Sequence, residues 1–187
     1  KELQVNLQLC KKDFRSDYDA ISMGYSAHDN LPPTFQDYLV AEILSKVATE
    51  NEAHLWQGTD VNGQYEGFIN LLENDANLPA ANELTGAAIT SANVIAELGK
   101  VVDAIPSQLY GNEDLRIYVP QNVWRAYKRA LGESGYVDRY SNQDIEPLVF
   151  DGVKLLMANG LPDDVMIAAE TSNLFFGTGF FSDWAEM

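Results

Sequence analysis

Apolar and polar side chains alternate at the start of the chain. The apolar ones are Leu3, Val5, Leu7 and Leu9. A period of two places every second side chain on the same face of a strand. The pattern therefore predicts a strand over residues 3–9 with one apolar face, followed by a polar, turn-rich stretch at 11–33.

The next stretch has the spacing of a helix. Apolar residues recur at every fourth position: Phe35, Leu39, Ile43 and Val47. Thr34 is a suitable N-cap in front of them, and Gly58 is a suitable stop behind them. Together these features predict a long helix between residues 34 and 58.

Two further helices are predicted in the second half of the chain. An apolar stripe runs from a cap at Thr90 or Ser91 to Pro106, which cannot continue a helix. A third helix is predicted to begin at Pro120, because proline suits the first helical position, and to end at Gly132.

Strand-like patterns lie between and after these helices. Residues 115–119 alternate in the manner of a strand, and residues 153–157 and 165–169 predict two more strands separated by a turn. Thr171 or Ser172 is expected to cap a final short turn.

Two stretches have no clear periodicity. Residues 58–89 predict irregular chain with a short apolar run at 68–72, and residues 133–146 predict a long polar loop. Loops of this length usually carry function. The predicted fold class is α+β, with one long helix set apart from a mixed α/β module at 85–180.

Composition and charge narrow the range of functions. The chain has 187 residues, of which 46% are apolar, and 28 acids against 12 bases give a formal net charge of -16. This balance argues against a broad nucleic-acid-binding face and against an anionic membrane surface as partner. A single cysteine, Cys10, excludes an intrachain disulfide and a cysteine-based zinc site. Lys1 is not a start methionine, so we expect that a longer protein has been cut or truncated.

The sequence offers weak candidates for metal binding. Glu50 and His54 share a helix face at a spacing of four residues, as metal ligands can. A third ligand is missing from their neighbourhood in the sequence, which favours a surface polar pair. We therefore expect no metal and no cofactor.

Candidates for catalysis are equally weak. Asp163 and Asp164 could act as a carboxylate pair, but adjacent residues at a strand edge point to opposite faces, and the preceding Pro162 favours a turn. Cys10 could serve as a nucleophile only if His28 lay beside it, and a buried, inert thiol is the preferred interpretation. The sequence does not predict an enzyme.

One basic patch interrupts the acidic chain. Arg125, Lys128 and Arg129 occupy positions i, i+3 and i+4 of the third predicted helix, and Arg139 follows in the next loop. Two interpretations stay open: a solvated helix face, or a contact with an acidic neighbour such as an identical subunit.

Several short motifs occur in an order similar to that of the major capsid proteins of tailed bacteriophages, which have the Hong Kong ninety-seven capsid fold. Glu52, Leu55 and Gly58 resemble the Glu-x-x-Leu-x-x-Gly segment at the end of that family's long spine helix. The glycine-led apolar run that often follows is represented by residues 67–69, and a helix opened by residues 90–93 comes next.

The rest of the resemblance covers the family's axial domain. Residues 117–124 are similar to its junction of a strand with a helix. The later glycine-led and apolar strands and the Asn-apolar-apolar-x-Gly motif of the family are similar to residues 152–156, 161–162, 165–168 and 173–177. The motifs together span roughly 150 residues, and it is their order and spacing that carry the resemblance.

The resemblance implies a domain organisation and an interface. Residues 1–84 would hold an extended-loop strand and the peripheral-domain spine helix, 85–180 the axial domain, and 181–187 the return to the peripheral domain. The implied subunit interface combines the basic patch with the loop that follows it: Arg125, Lys128, Arg129, Tyr136, Arg139 and Tyr140. The loop residues would lie near the symmetry axis. Family members usually have an N-terminal arm before this region and long strands after it, so the chain departs from the pattern at both ends.

The resemblance also implies a function. The chain would be made in the bacterial cytoplasm and would assemble with itself into pentamers and hexamers of a virion shell. This shell would enclose DNA without reading its sequence, with scaffold and portal proteins as further partners and no membrane. The alternatives are an encapsulin-like shell protein and, in a different class, an acidic soluble hydrolase or binding domain.

Overall fold

A computed structural model describes residues 35–61, 64–135 and 148–177. The predicted strand at 3–9, Cys10 and His28 lie outside these residues, as does most of the predicted loop at 133–146. The chain forms two compact units, residues 1–74 and residues 75–187. The predicted division into 1–84, 85–180 and 181–187 stays a prediction.

The first unit is built on a long helix. Helix α1 spans Phe35–Gln57, 23 residues, which confirms the helix predicted from the four-residue spacing. Thr59 and Glu66 then form an isolated antiparallel bridge, and the short helix α2 follows at Phe68–Glu73. The second helix and the bridge differ from the irregular chain predicted for this stretch.

The second unit contains a four-stranded mixed sheet. Its strands are β1 (Leu115–Val119), β2 (Val149–Phe150), β3 (Val153–Met157) and β4 (Ile167–Glu170), in the order β2-β3-β1-β4. Strand β1 runs parallel to β3 and antiparallel to β4, and β2 runs antiparallel to β3. Helices and a mixed sheet in one chain confirm the α+β class.

Two helices cover one face of this sheet. Helix α3 spans Val94–Asp103, and helix α4 spans Gln121–Glu133. Their apolar stripes and the inward side chains of β1 and β3 form one core, whose fully buried members include Val94, Leu98, Ile117, Val119, Val123 and Leu155. Arg116 and Lys154, which are partners in the β1–β3 register, belong to the opposite face because side chains alternate along a strand.

The structure corrects the predicted start of α3. The sequence predicts a cap at Thr90 or Ser91, but the N-cap is Asn93. The Asn93 side-chain oxygen accepts hydrogen bonds from the Thr90 amide and hydroxyl, so residues 90–93 form a separate turn in front of the helix. Similarly, Pro120 is the extended N-cap of α4 and precedes the first helical residue.

Three smaller differences concern short elements. Strand β4 begins two residues after the predicted start at 165, and β2 was not predicted at all. Two 3-10 turns, Ala80–Asn82 and Thr171–Asn173, complete the described elements. The N-cap of the second turn is Glu170, whereas the sequence predicts Thr171 or Ser172. Among the described residues, no helix is both long and apolar enough to cross a membrane.

Candidate functional site

Helix α4 has one buried and one exposed face. Its buried side is formed by Val123, Trp124, Ala126, Tyr127 and Ala130. The Tyr127 hydroxyl donates a hydrogen bond to the Val149 carbonyl at 3.0 Å, and its ring packs edge-on against Phe150 with centroids 5.8 Å apart. These contacts fix the rotation of the helix, and therefore fix which residues face the solvent.

The basic face of α4, which we define as Arg125, Lys128 and Arg129, lies on the solvent side. Arg125 and Arg129 are exposed, and Lys128 is half-buried. The Lys128 ammonium lies 5.8 Å from the centroid of the Trp124 ring, within the range of a cation–π contact. The spacing i, i+3, i+4 thus places three positive charges on adjacent turns of one helix.

Two lysines of the described chain pair with carboxylates, whereas the arginines of the basic face do not. Lys46 pairs with Glu42 at 3.3 Å, and the Lys100 ammonium lies 2.8 Å from Glu97. Within the described ranges, no carboxylate forms an ion pair with Arg125 or Arg129. In a chain with a net charge of -16, these two guanidinium groups therefore lack a charged partner among the described residues.

The other predicted interface residues cannot be placed beside this face. Tyr136, Arg139 and Tyr140 lie in the stretch 136–147, outside the described residues. Their role at a symmetry axis stays a prediction.

A hydrogen-bonded bridge fixes the start of α4. The Asp164 side-chain oxygen accepts from the Asn122 side chain at 2.7 Å and from the Ile89 amide at 3.0 Å. Asp164 lies in the left-handed region with φ 66°, which aspartate tolerates better than most residues. The Asp163-Asp164 pair therefore does lie in a turn, as predicted, and Asp164 joins the segment before α3 to the first turn of α4.

A cavity of about 500 Å³ opens where β1 and β3 begin. Its lining includes Tyr110, Glu113, Arg116 and Lys154. The Arg116 guanidinium donates to the carbonyl oxygens of Glu113 and Leu115, and the Tyr110 hydroxyl donates to the Asp151 carbonyl. Glu113 is the one carboxylate in the lining, so the paired carboxylates that acid–base hydrolysis uses do not meet there.

The glycines of the capsid-like motif occupy a tight crossing of the backbone. The Gly67 amide donates to the Gly58 carbonyl at 2.8 Å. A side chain on Gly67 would place Cβ 2.5 Å from the Gly58 nitrogen and 2.7 Å from the Trp56 oxygen, and a side chain on Gly58 would collide with the Tyr65 carbonyl. Gly58 follows the end of α1 as predicted. The crossing also requires glycine at this position, because a Cβ atom would collide with the Tyr65 carbonyl.

Polar contacts surround His54 in the same unit. Its Nε2 atom lies 3.9 Å from a Glu50 oxygen and 3.1 Å from the Gln64 side-chain nitrogen. Tyr65 packs edge-on against the ring and donates its hydroxyl to Asn51, and burial raises the pKa of this hydroxyl. In the part of the chain that the structure describes, no three His, Cys, Asp or Glu side chains group as metal ligands would.

A second carboxylate, Asp114, joins the start of β1 to the end of β4. Hydrogen bonds from Ser172 lower the pKa of this carboxyl, and the nearby Arg116 guanidinium acts in the same direction. The Ser172 amide donates to Asp114 Oδ2 at 2.8 Å. Sequence reasoning gave no role to Asp114 or to Asp164, because each acts on a partner that is distant along the chain.

Comparison of the sequence with protein-family models and with curated proteins finds no match.

Proposed function

We propose that the chain is a structural subunit that assembles with itself into a closed shell, similar to the major capsid proteins of tailed bacteriophages. The observation that carries the proposal is the order of elements. A long helix ends at a glycine crossing, and a second unit follows with the order helix, strand, helix, strand, strand, strand. Glu52, Leu55, Gly58 and Gly67, on which the resemblance depends, all belong to the end of that helix and the crossing.

Exposed apolar side chains support the proposal from a second direction. Shell subunits bury large surfaces against their neighbours, so in a single chain these surfaces are open to water. The first unit exposes Leu44, Val61 and Leu71, and the second exposes Phe175 and Phe176. Phe175 and Phe176 are adjacent large aromatic residues, and contiguous exposed apolar surface is typical of surfaces that bind another protein.

In this proposal the protein is a component of a virion and has no catalytic group. Acidic residues lining the interior would repel packaged DNA, so the DNA would not adhere to the wall. Scaffold and portal proteins would be further partners during assembly.

The test is to purify the full-length gene product and measure its assembly state. Size-exclusion chromatography with light scattering would give the mass, and negative-stain microscopy would show rings or shells. We expect pentamers, hexamers or closed particles. A strict monomer at high protein concentration would contradict the proposal.

The contents of the particles separate the capsid from an encapsulin-like compartment. Particles isolated from the host should contain DNA protected from added nuclease. Protein cargo in place of DNA would favour the encapsulin-like alternative and leave self-assembly intact.

A further inference from the structure

We propose that the basic face of α4 docks against the segment 75–88 of a second copy of the chain. This inference rests on the proposed self-assembly and names the two surfaces that would meet. The contact joins different surfaces of two identical subunits, so repetition of it generates a ring when the rotation between neighbours closes, as the proposed pentamers and hexamers require.

Segment 75–88 is an exposed stretch of the second unit that carries two acids and no base. Thirteen of its residues are exposed and only Leu78 is half-buried. Its hydrogen bonds among the described residues are mainly local, such as those from the Asn77 amide and side chain to Asp75. Within the described part of the chain, hydrogen bonds with more distant residues occur only at the end of the segment. The Asn93 side chain donates to the carbonyl of Ala88, the last residue of the segment, and Asp164 accepts from the amide of Ile89, the next residue. A stretch of this length with so little burial is available for contact with another molecule.

The charges of the segment complement those of the helix. Residues 47–99 contain no lysine and no arginine, and the segment carries Asp75 and Glu83. Within the described ranges, Glu83 forms no ion pair, which matches the unpaired state of Arg125 and Arg129. Complementary potentials of this kind guide encounter and set the register of a complex.

Other carboxylates of the second unit are less suitable partners. Glu97 is buried and paired with Lys100, and Glu170 accepts from Asn112 at 2.5 Å. Asp164 accepts from two other elements, at Ile89 and Asn122, whereas the hydrogen bonds to Asp75 come from its neighbour Asn77. Asp151 lies in the short turn between β2 and β3 and Asp163 in the turn after Pro162, so neither belongs to a long exposed stretch.

Segment 75–88 also supplies an apolar contact. Leu84, next to Glu83, is 47% exposed. Because exposed ion pairs alone contribute little to affinity, burial of this side chain would add attraction while the charges select the partner surface.

The experiment exchanges the charges on the full-length chain. In one variant, Arg125→Glu is combined with Arg129→Glu; in the other, Asp75→Lys is combined with Glu83→Lys. We expect each variant alone to associate at least about tenfold more weakly than the parent chain, because like charges then face each other. A mixture of the two should recover association, because the reversed surfaces are again complementary.

The control is Lys154→Glu, which reverses an exposed cation on the sheet and should leave association unchanged. Circular dichroism would verify that every variant is folded. Association of the parent chain should also weaken when ionic strength rises from about 0.05 M to about 0.5 M, since screening shortens the range of these charges.

The outcomes separate this inference from the proposed function. If the parent chain assembles and the Arg125→Glu, Arg129→Glu variant assembles equally well, the docking is wrong and self-assembly stands. Failure of the mixture to recover association would also overturn the pairing of these two surfaces. A parent chain that stays monomeric at every concentration would overturn both.

Discussion

The two units of the chain are held together in different ways. The second unit buries a continuous apolar core between two helices and the sheet. In the described part of the first unit, the buried residues are Trp56, Gly58 and Gly67. Burial of apolar surface is therefore the main source of stability in the second unit, whereas the described close contacts of the first unit include a backbone crossing and the packing of Trp56 against Phe68, with ring centroids 5.5 Å apart.

The partly exposed apolar stripe of α1 is a surface that could pack against another subunit. Helix α1 has an apolar stripe at four-residue spacing, yet the described side chains of that stripe are only half-buried, and Leu44 beside it is 56% exposed. A helix in water gains most of its stability from packing of one face. We expect these side chains of α1 to become better packed if subunits associate as proposed.

The largest expected effect comes from the core of the second unit. Leu98 is fully buried on α3, and Leu98→Ala should lower the free energy of unfolding by about 2–5 kcal/mol through lost burial and a cavity. Ile95→Ala on the same helix is the matched control, because Ile95 is 43% exposed and should cost less than about 1 kcal/mol. Denaturant titration followed by circular dichroism measures both. Equal effects at the two positions would contradict the assignment of the core.

The second-largest expected effect is a loss of local stability at the glycine crossing of the first unit. Gly67→Ala should cost about 1–3 kcal/mol of local stability, because its Cβ would lie 2.5 Å from the Gly58 nitrogen. Hydrogen exchange of the amides in residues 54–70 should accelerate, while exchange in the sheet stays unchanged. Gly99→Ala is the control: nothing lies within 4 Å of its Cβ, and alanine should favour the helix. Unchanged exchange in Gly67→Ala would show that the crossing is not needed.

A smaller effect concerns the Asp164 bridge between Ile89, in front of α3, and the first turn of α4. Asp164→Ala removes an acceptor for Ile89 and Asn122 and should cost about 1–2 kcal/mol, with faster exchange of the amides at 86–93. Asp164→Asn keeps an acceptor and tolerates the left-handed backbone, so it should cost less. Asp163→Ala removes the exposed neighbouring acid and should have no effect on exchange. If Asp163→Ala and Asp164→Ala behaved alike, the bridge would have no stabilising role.

The elements that the sequence predicts well are those with a strong local pattern. Helix α1 and strands β1 and β3 agree closely with the predicted boundaries, because their apolar periods extend over several residues. Strand β2 has only two residues, too few for any period, and it forms because β3 lies beside it. Elements that depend on a neighbour in space have no signal of their own.

The same distinction applies to the candidate site. The spacing of Arg125, Lys128 and Arg129 is a local signal, and it correctly places all three on one helix. The role of Asp164 depends on an amide 75 residues away, at Ile89, and the crossing of Gly58 with Gly67 depends on how the chain turns between them. Such contacts follow from the tertiary fold, which the patterns specify only in outline.

The smallest expected effect is a pH dependence at Asp114 in the second unit. Hydrogen bonds from Ser172 lower the pKa of this carboxyl in the folded chain, so its contribution to stability is complete above the unfolded pKa of about 3.9. The contribution is lost as the pH falls through the lower, folded pKa. Asp114→Asn should therefore be less stable than the parent chain near neutral pH, and the difference should shrink below about pH 4. Unfolding curves at several pH values would measure it, with Asp163→Asn as the control of equal charge change. A difference that stays constant down to pH 2 would show that the Ser172 hydrogen bonds do not favour the ionised carboxyl.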